Sequence, residues 1–334
     1  MKSSVRVFWR SLQLTVFGVG VLIVAMLLFR PPLGLYLLWD VLIPVAPLLL
    51  VLAPGVWRNV CPLGSVSLLP AHMNWSHKRP LSRVWQERLL LGAIALLLLI
   101  VPLRHVVLDR FGAVTGVVLI TVAAVALALG FLFDWKSAWC SGLCPVYPVE
   151  LLYGSRPVVS VANAHCTTCS DCVSPCRDSG RGLVAADTSR SLNKHFVYLF
   201  GGGFPGFVWG WYLVVPNATA PVLRQLLEAF LLPLAGFAAT MLVFLVFYLA
   251  FPRRRRMLAV AFAAVAVVIY YWFKLPVMFG LQGDGSHALL NLRGVLAGWW
   301  VWPLRVVTSG LLMALLLARK PRSGWSGRVA RAAP

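Results

Sequence analysis

Four closely spaced cysteines carry the strongest chemical signal in the chain: His165-Cys166-Thr-Thr-Cys169-Ser-Asp-Cys172-Val-Ser-Pro-Cys176. The spacing is C-x2-C-x2-C-x3-C. Thiolates separated by two small or polar residues can curl around a cubane, each reaching a different iron corner. In such a run the first three hold one cluster, and the fourth often reaches a second. Zinc also accepts thiolates, but three cysteines in a C-x2-C-x2-C turn make a poor tetrahedral site. The expected cofactor is one [4Fe-4S] cluster, with Cys166, Cys169, Cys172 and Cys176 as its ligands.

The chain has seven cysteines in all, and the other three fall in an internal repeat. Trp57-Arg-Asn-Val-Cys61-Pro62 and Cys140-Ser-Gly-Leu-Cys144-Pro145 align on Cys-Pro, and each runs into an apolar stretch ending in Leu-Leu (Leu68-Leu69 and Leu151-Leu152). Each unit reads as a membrane hairpin, a Cys-Pro elbow and then a short helix. Proline suits the first helical position. The cysteine before it then sits at a helix N-terminus, where free N–H groups and the helix dipole favour the thiolate. Two readings stand side by side: a second iron–sulfur centre on Cys61, Cys140 and Cys144, or two structural turns with incidental cysteines.

Composition says what must hold these thiols. The chain is 60% hydrophobic and 12% charged, with a mean hydropathy of +0.83, which fits a polytopic helical membrane protein rather than a soluble domain. A formal charge of +20 would suit a nucleic-acid binder, but the basic residues come in short clusters between apolar runs, which excludes that class. Eight apolar segments are long enough to cross a bilayer, near 12–29, 36–54, 89–107, 113–133, 196–216, 226–251, 257–279 and 296–318. The expected fold is all-α and polytopic, with about eight transmembrane helices and a small ferredoxin-like 4Fe-4S cytoplasmic loop. Four regions follow: a membrane half with the first elbow (1–133), the cluster segment (134–195), a second membrane half (196–318) and a basic tail (319–334).

Charge sets the orientation. Most of the 30 Lys and Arg residues fall on one side of these spans, and the other side receives only Arg30, Arg104, Arg110, Arg224 and Arg293. By the positive-inside rule both termini and every cysteine are cytoplasmic. The first apolar run follows Lys2, Arg6 and Arg10 and has no small-x-small cleavage site after it, so it reads as a retained signal anchor. Inside the spans, Arg305 has two expectations. It snorkels beside the Trp299-Trp300-Val-Trp302 belt, or it pairs with Asp40 or Glu228 in an outward-facing pocket. The run Gly201-Gly-Gly-Phe-Pro205-Gly206 permits close helix packing or a local break.

Together these residues resemble the membrane-bound polyferredoxins of the NapH and NosR type, which pair C-x3-C-P elbows after transmembrane hairpins with ferredoxin-like cluster motifs. The likeness covers roughly residues 12–180 and leaves the last four spans aside. It matches Cys140 and Cys144 to a complete elbow, Cys61 to half of another, and Cys166, Cys169, Cys172 and Cys176 to one ferredoxin motif. Trp57 stands where the first elbow would carry its leading cysteine, Arg177 stands where proline usually follows the motif, and one ferredoxin motif is present where the best-known relatives carry two. Seven thiols are one short of two fully cysteine-ligated cubanes. One cluster with elbows that do something else, a second cluster on Cys61, Cys140 and Cys144 with a non-cysteine ligand, and an exchange of Cys176 to a second cluster all fit this supply.

The resemblance implies an electron-transfer subunit of the bacterial inner membrane rather than a stand-alone catalyst. Its expected partners are a cytoplasmic donor or the quinone pool and a membrane or periplasmic redox protein. No nucleophile–base pair, paired catalytic carboxylates, phosphate loop, haem pattern or covalent-flavin motif is visible. His165 and His195 flank the cluster segment, where solvated loop positions are the plainer reading. The alternatives are copper handling or maturation of a redox enzyme, since soft thiolates bind copper, and a redox-sensing membrane protein.

Overall fold

The computed structural model describes residues 3–79, 81–133, 138–154, 158–159, 161, 192–215 and 219–318. The four cysteines of the 166–176 motif and the basic tail lie outside the described residues. Among the described residues the regular structure is helical, with one isolated bridge between Arg79 and Phe133. In chain order the α-helices are α1 Ser3–Phe29, α2 Pro31–Tyr36, α3 Ile43–Leu52, α4 Pro54–Val60, α5 Pro62–His72, α6 Arg83–Leu103, α7 Gly112–Leu132, α8 Tyr147–Tyr153, α9 Leu192–Leu213, α10 Val222–Ala250, α11 Arg255–Met278 and α12 Val301–Leu317.

Among the described residues, seven helical stretches are long and apolar enough to cross a membrane: Val7–Phe29, Pro31–Leu52, Val84–Leu108, Gly112–Leu132, Val222–Ala250, Pro252–Met278 and Gly298–Leu317. The chain is thus a multi-pass helical protein whose outer surface suits lipid. These stretches coincide with seven of the eight expected spans. The eighth, near 196–216, is α9. Its 22 residues form a helix of about 33 Å at 1.5 Å per residue. Glycine, tryptophan and tyrosine lower its hydropathy below that of the other seven.

The reason for that composition is packing. Helix α9 lies against α10 and α11, and Phe200 and Phe207 are buried along it. Where α9 meets α10, a methyl group on Gly206 would lie 1.9 Å from the Gly236 carbonyl oxygen, so only glycine admits this approach. Pro205 removes one donor from α9 without breaking it. Thr240 Oγ1 accepts from the Gly206 N–H at 3.2 Å and donates to the Gly203 carbonyl at 3.0 Å. Of the two expectations for the glycine run, close packing is what forms.

Proline in the second span is absorbed in a different way. From Pro31 to Leu52 the chain stays helical, passing through a π-helical turn at Leu37–Leu42 just ahead of Pro44. Such wide turns take up the register change that a proline imposes and recur near functional sites.

Candidate functional site

The two Cys-Pro elbows are conformational copies of each other. Cys61 has φ −55° and ψ 122°, and Cys144 has φ −61° and ψ 123°. Proline demands this of the residue before it, by driving it out of the helical region. Cys61 ends α4, donating its N–H to the Trp57 carbonyl at 2.9 Å, and opens α5 by accepting from the Ser65 N–H at 3.0 Å. Cys144 does the same work after a π-helical turn at Trp139–Leu143 that carries Cys140. Its N–H reaches the Trp139 carbonyl at 2.9 Å, and its carbonyl accepts from the Tyr147 N–H that starts α8. The short helix expected after each elbow is present.

The elbows meet. A methyl group on Gly64 would lie 3.6 Å from Cys61 Cβ and 3.7 Å from Cys140 Sγ, ordinary contact distances, so cysteines of the two repeats border the same glycine. Cys61, Cys140 and Cys144 form no disulfide and are partly buried. Burial pushes the Cys144 thiol well up, and its nearness to Cys140 and Cys61 pushes it further. Trp57, at the position of the missing fourth elbow cysteine, packs against the same apolar cluster as Cys144, with Leu50, Val51, Tyr147 and Leu151 at its centre. That place is filled by packing and not by a ligand.

A buried ion pair ties the two repeats together. Arg58 of α4 donates through Nε to Glu150 Oε1 of α8, with side chains 5% and 6% exposed. Burial works against the Arg58 charge, and Glu150 more than offsets it, helped by Tyr147 and Cys140, so Arg58 is held firmly protonated. The pair places a fixed cation beside the thiols. Next to it, Gln13 of α1 donates to the Asn59 carbonyl at 3.0 Å. The N–H groups of Val158 and Val159 close on the Leu52 carbonyl at 2.8 and 2.9 Å, so the chain leaves α8 along the end of α3 on its way to the cysteine run.

Thiol donors from both repeats and a neighbouring buried cation are of the chemistry that suits an anionic iron–sulfur cluster. Among the described residues no group of three or more His, Cys, Asp or Glu side chains is placed to hold a single metal ion. A cubane differs in offering separate iron corners to separate thiols.

A second polar constellation lies near the opposite end of the spans. Asp40, in the π-helical turn, is buried and accepts from Lys274 Nζ of α11 at 2.6 Å, while His287 Nδ1 of the following loop stands 2.7 Å from its other oxygen. Tyr36 donates to the Ala288 carbonyl at 2.9 Å, fastening the same loop. The expected pairing of Arg305 with Asp40 or Glu228 does not form, because those carboxylates are taken by Lys274 and His287 and by Arg224. Arg305 instead donates to the Trp272 carbonyl and to Gln282 Oε1, both at 2.9 Å. Its guanidinium lies over the Trp272 and Trp302 rings. Arg305 does lie beside Trp302 of the expected belt, but it is buried and bonded within the protein, so it does not snorkel.

Sequence reasoning found Cys61, Cys140 and Cys144 through the repeat but missed Arg58, Glu150 and Gly64. A signal was there: Glu150 is a lone carboxylate in an apolar stretch, and such a residue needs a buried partner. The site and fold define a class, a multi-pass helical protein whose two Cys-Pro elbows bring their cysteines near one another. Compared with protein-family models, curated proteins and solved structures, the chain matches none of them.

Proposed function

We propose that this chain is an integral membrane 4Fe-4S protein that passes electrons between a cytoplasmic donor, or the quinone pool, and a membrane or periplasmic redox partner. Cys166, Cys169, Cys172 and Cys176 would hold the first cluster, and Cys61, Cys140 and Cys144 a second centre. A cluster at either place supplies reversible one-electron chemistry at a potential set by hydrogen bonds, burial and charge. The chain's own residues do the rest. The elbows fix the thiols in place, and Arg58 holds positive charge where electron density arrives. The observation that carries the reading is the meeting of thiols from two distant repeats beside that cation. Incidental cysteines in structural turns have no reason to converge.

In this reading α9 counts as an eighth pass, which returns the chain to its starting side. Both termini and all cysteines then lie in the cytoplasm of a bacterial cell, in agreement with the charge bias. A phosphatase or fluorescent reporter fused after Pro334 is expected to report a cytoplasmic location. A periplasmic signal would remove α9 from the count and the orientation with it.

The test of the second centre is iron and sulfide counting on anaerobically purified protein. Cys61→Ser and Cys144→Ser are each expected to lower iron per chain while leaving the signal of the 166–176 cluster in low-temperature EPR. Unchanged iron in both variants would show that the elbows are not cluster ligands. Stoichiometric copper in their place would assign them to metal handling.

A further inference from the structure

Helices α5 and α7 pack extensively against each other, most closely at one glycine. A methyl group on Gly130 would lie 1.9 Å from the Ser67 carbonyl oxygen, which fixes the contact. Next to it runs a groove of about 510 Å³, with Leu69, Pro70, Met73 and Trp75 on one wall and Leu127 and Phe131 on the other. Its lining is wholly apolar, and its volume falls within the range of roughly 300–1,000 Å³ usual for small-ligand sites. The walls face outward: Leu69 is 48% exposed, Met73 43% and Phe131 40%.

One end of the groove is closed by a short strap. Ser76 Oγ donates to the Gly130 carbonyl at 2.9 Å, the His77 N–H to Phe131 at 2.8 Å and the Arg79 N–H to Leu132 at 3.3 Å. These bonds take up carbonyls that the end of α7 leaves open. The His77 ring packs edge-on against Phe131, 4.8 Å between centroids. Lys78 and Arg79 follow, both exposed. Lys78 keeps a left-handed backbone, φ 48°, that glycine would adopt more easily, with its N–H on Ser76 Oγ at 3.2 Å. The strap therefore holds two exposed cationic residues beside Phe131 and Leu132, at one end of the apolar lining.

The surroundings identify the occupant. The α7 wall belongs to the last turns of a membrane-crossing stretch, so hydrocarbon lies alongside it. Trp75, 62% exposed, sits where the span ends, at the level where tryptophan meets lipid headgroups. We propose that the α5–α7 groove binds one acyl chain of an anionic phospholipid whose phosphate is held by Lys78 and Arg79. An apolar slot ending in two positive charges complements a chain ending in a negative one. The site rests on α7 as a membrane-crossing helix and is independent of the iron–sulfur reading.

The full chain in nanodiscs of mixed phosphatidylglycerol and phosphatidylcholine, examined by native mass spectrometry, provides the test. Wild-type protein is expected to keep one phosphatidylglycerol per chain. Lys78→Gln with Arg79→Gln, both surface changes, is expected to weaken that preference about thirtyfold, the effect of two interfacial charges. Ala128→Phe, at an exposed position in the groove, is expected to abolish retention of either lipid. Arg253→Gln with Arg254→Gln, a basic cluster without this groove, is expected to change nothing. Equal retention of both lipids by wild type, an unchanged preference in the Lys78/Arg79 variant, or a quinone retained in place of phospholipid would each overturn the assignment.

Discussion

Cys169→Ser protein, purified without oxygen, is expected to lose about four iron and four sulfide per chain, the content of one cubane. With them goes the broad brown absorbance near 400 nm, roughly where thiolate-ligated iron–sulfur centres absorb. Cys169 is the informative choice within the 166–176 run. The fourth cysteine of such a run can serve a neighbouring cluster, so Cys176 reports on two centres at once. Cys169 is an inner member of the first three and serves one. Serine keeps the size of the side chain and offers a hard oxygen in place of a soft sulfur, so the change falls on ligation and not on packing. Any iron left should belong to Cys61, Cys140 and Cys144, and the Cys169→Ser/Cys144→Ser double variant is expected to be colourless. Full iron content in Cys169→Ser, or wild-type protein that is colourless and loaded with zinc, would end the electron-transfer reading.

What could be read from the sequence follows from how local each feature is. Membrane spans are legible because hydropathy depends on each residue separately, and the stretches from Val7 to Phe29 and from Gly112 to Leu132 announce themselves. Helix α9 is the harder case. Its glycines serve an approach to Gly236 that a one-dimensional profile cannot register, and they weaken the very signal used to find spans. The elbows were legible because Cys-Pro fixes its own backbone, whatever surrounds it. That the two elbows come together depends on the fold of the intervening hairpin, which spacing does not display.

Pairing of polar groups was the least legible feature. Asp40, Lys274 and Arg305 stand out in sequence as ionisable residues in apolar runs, but which carboxylate meets which cation depends on helix rotation and depth. Lys274 reaches Asp40 from the next-to-last helix, and His287 reaches it from a loop. Arg305 found its partners in Trp272 and Gln282, because a guanidinium can satisfy itself with a carbonyl, an amide and two aromatic faces and needs no acid. The ferredoxin-like run itself, Cys166 to Cys176, is legible by spacing alone and lies outside the described residues.

Glu150→Ala is expected to destabilise the protein by about 3–5 kcal/mol, the usual result of stripping one partner from a buried ion pair. Arg58 would keep its charge in a place that water does not reach, 5% exposed, facing a void. Arg58→Ala should be nearly as severe, though slightly milder, since the abandoned Glu150 can take up a proton and become neutral. Arg58→Met combined with Glu150→Leu is the decisive comparison. It removes both charges and keeps the volume, and such replacements are often neutral or stabilising. Its thermal melting in detergent is expected to lie close to wild type and far above either single variant, a strongly non-additive cycle. If both single variants melt within about 1 kcal/mol of wild type, the pair behaves as a solvated surface contact and does not brace the elbows. Iron counting on the well-folded double variant then separates two roles that stability alone merges. If the pair acts only as a strut, the packed replacement preserves the second centre. If the fixed positive charge beside Cys140 matters to an anionic cluster, iron at the elbows falls although the fold survives.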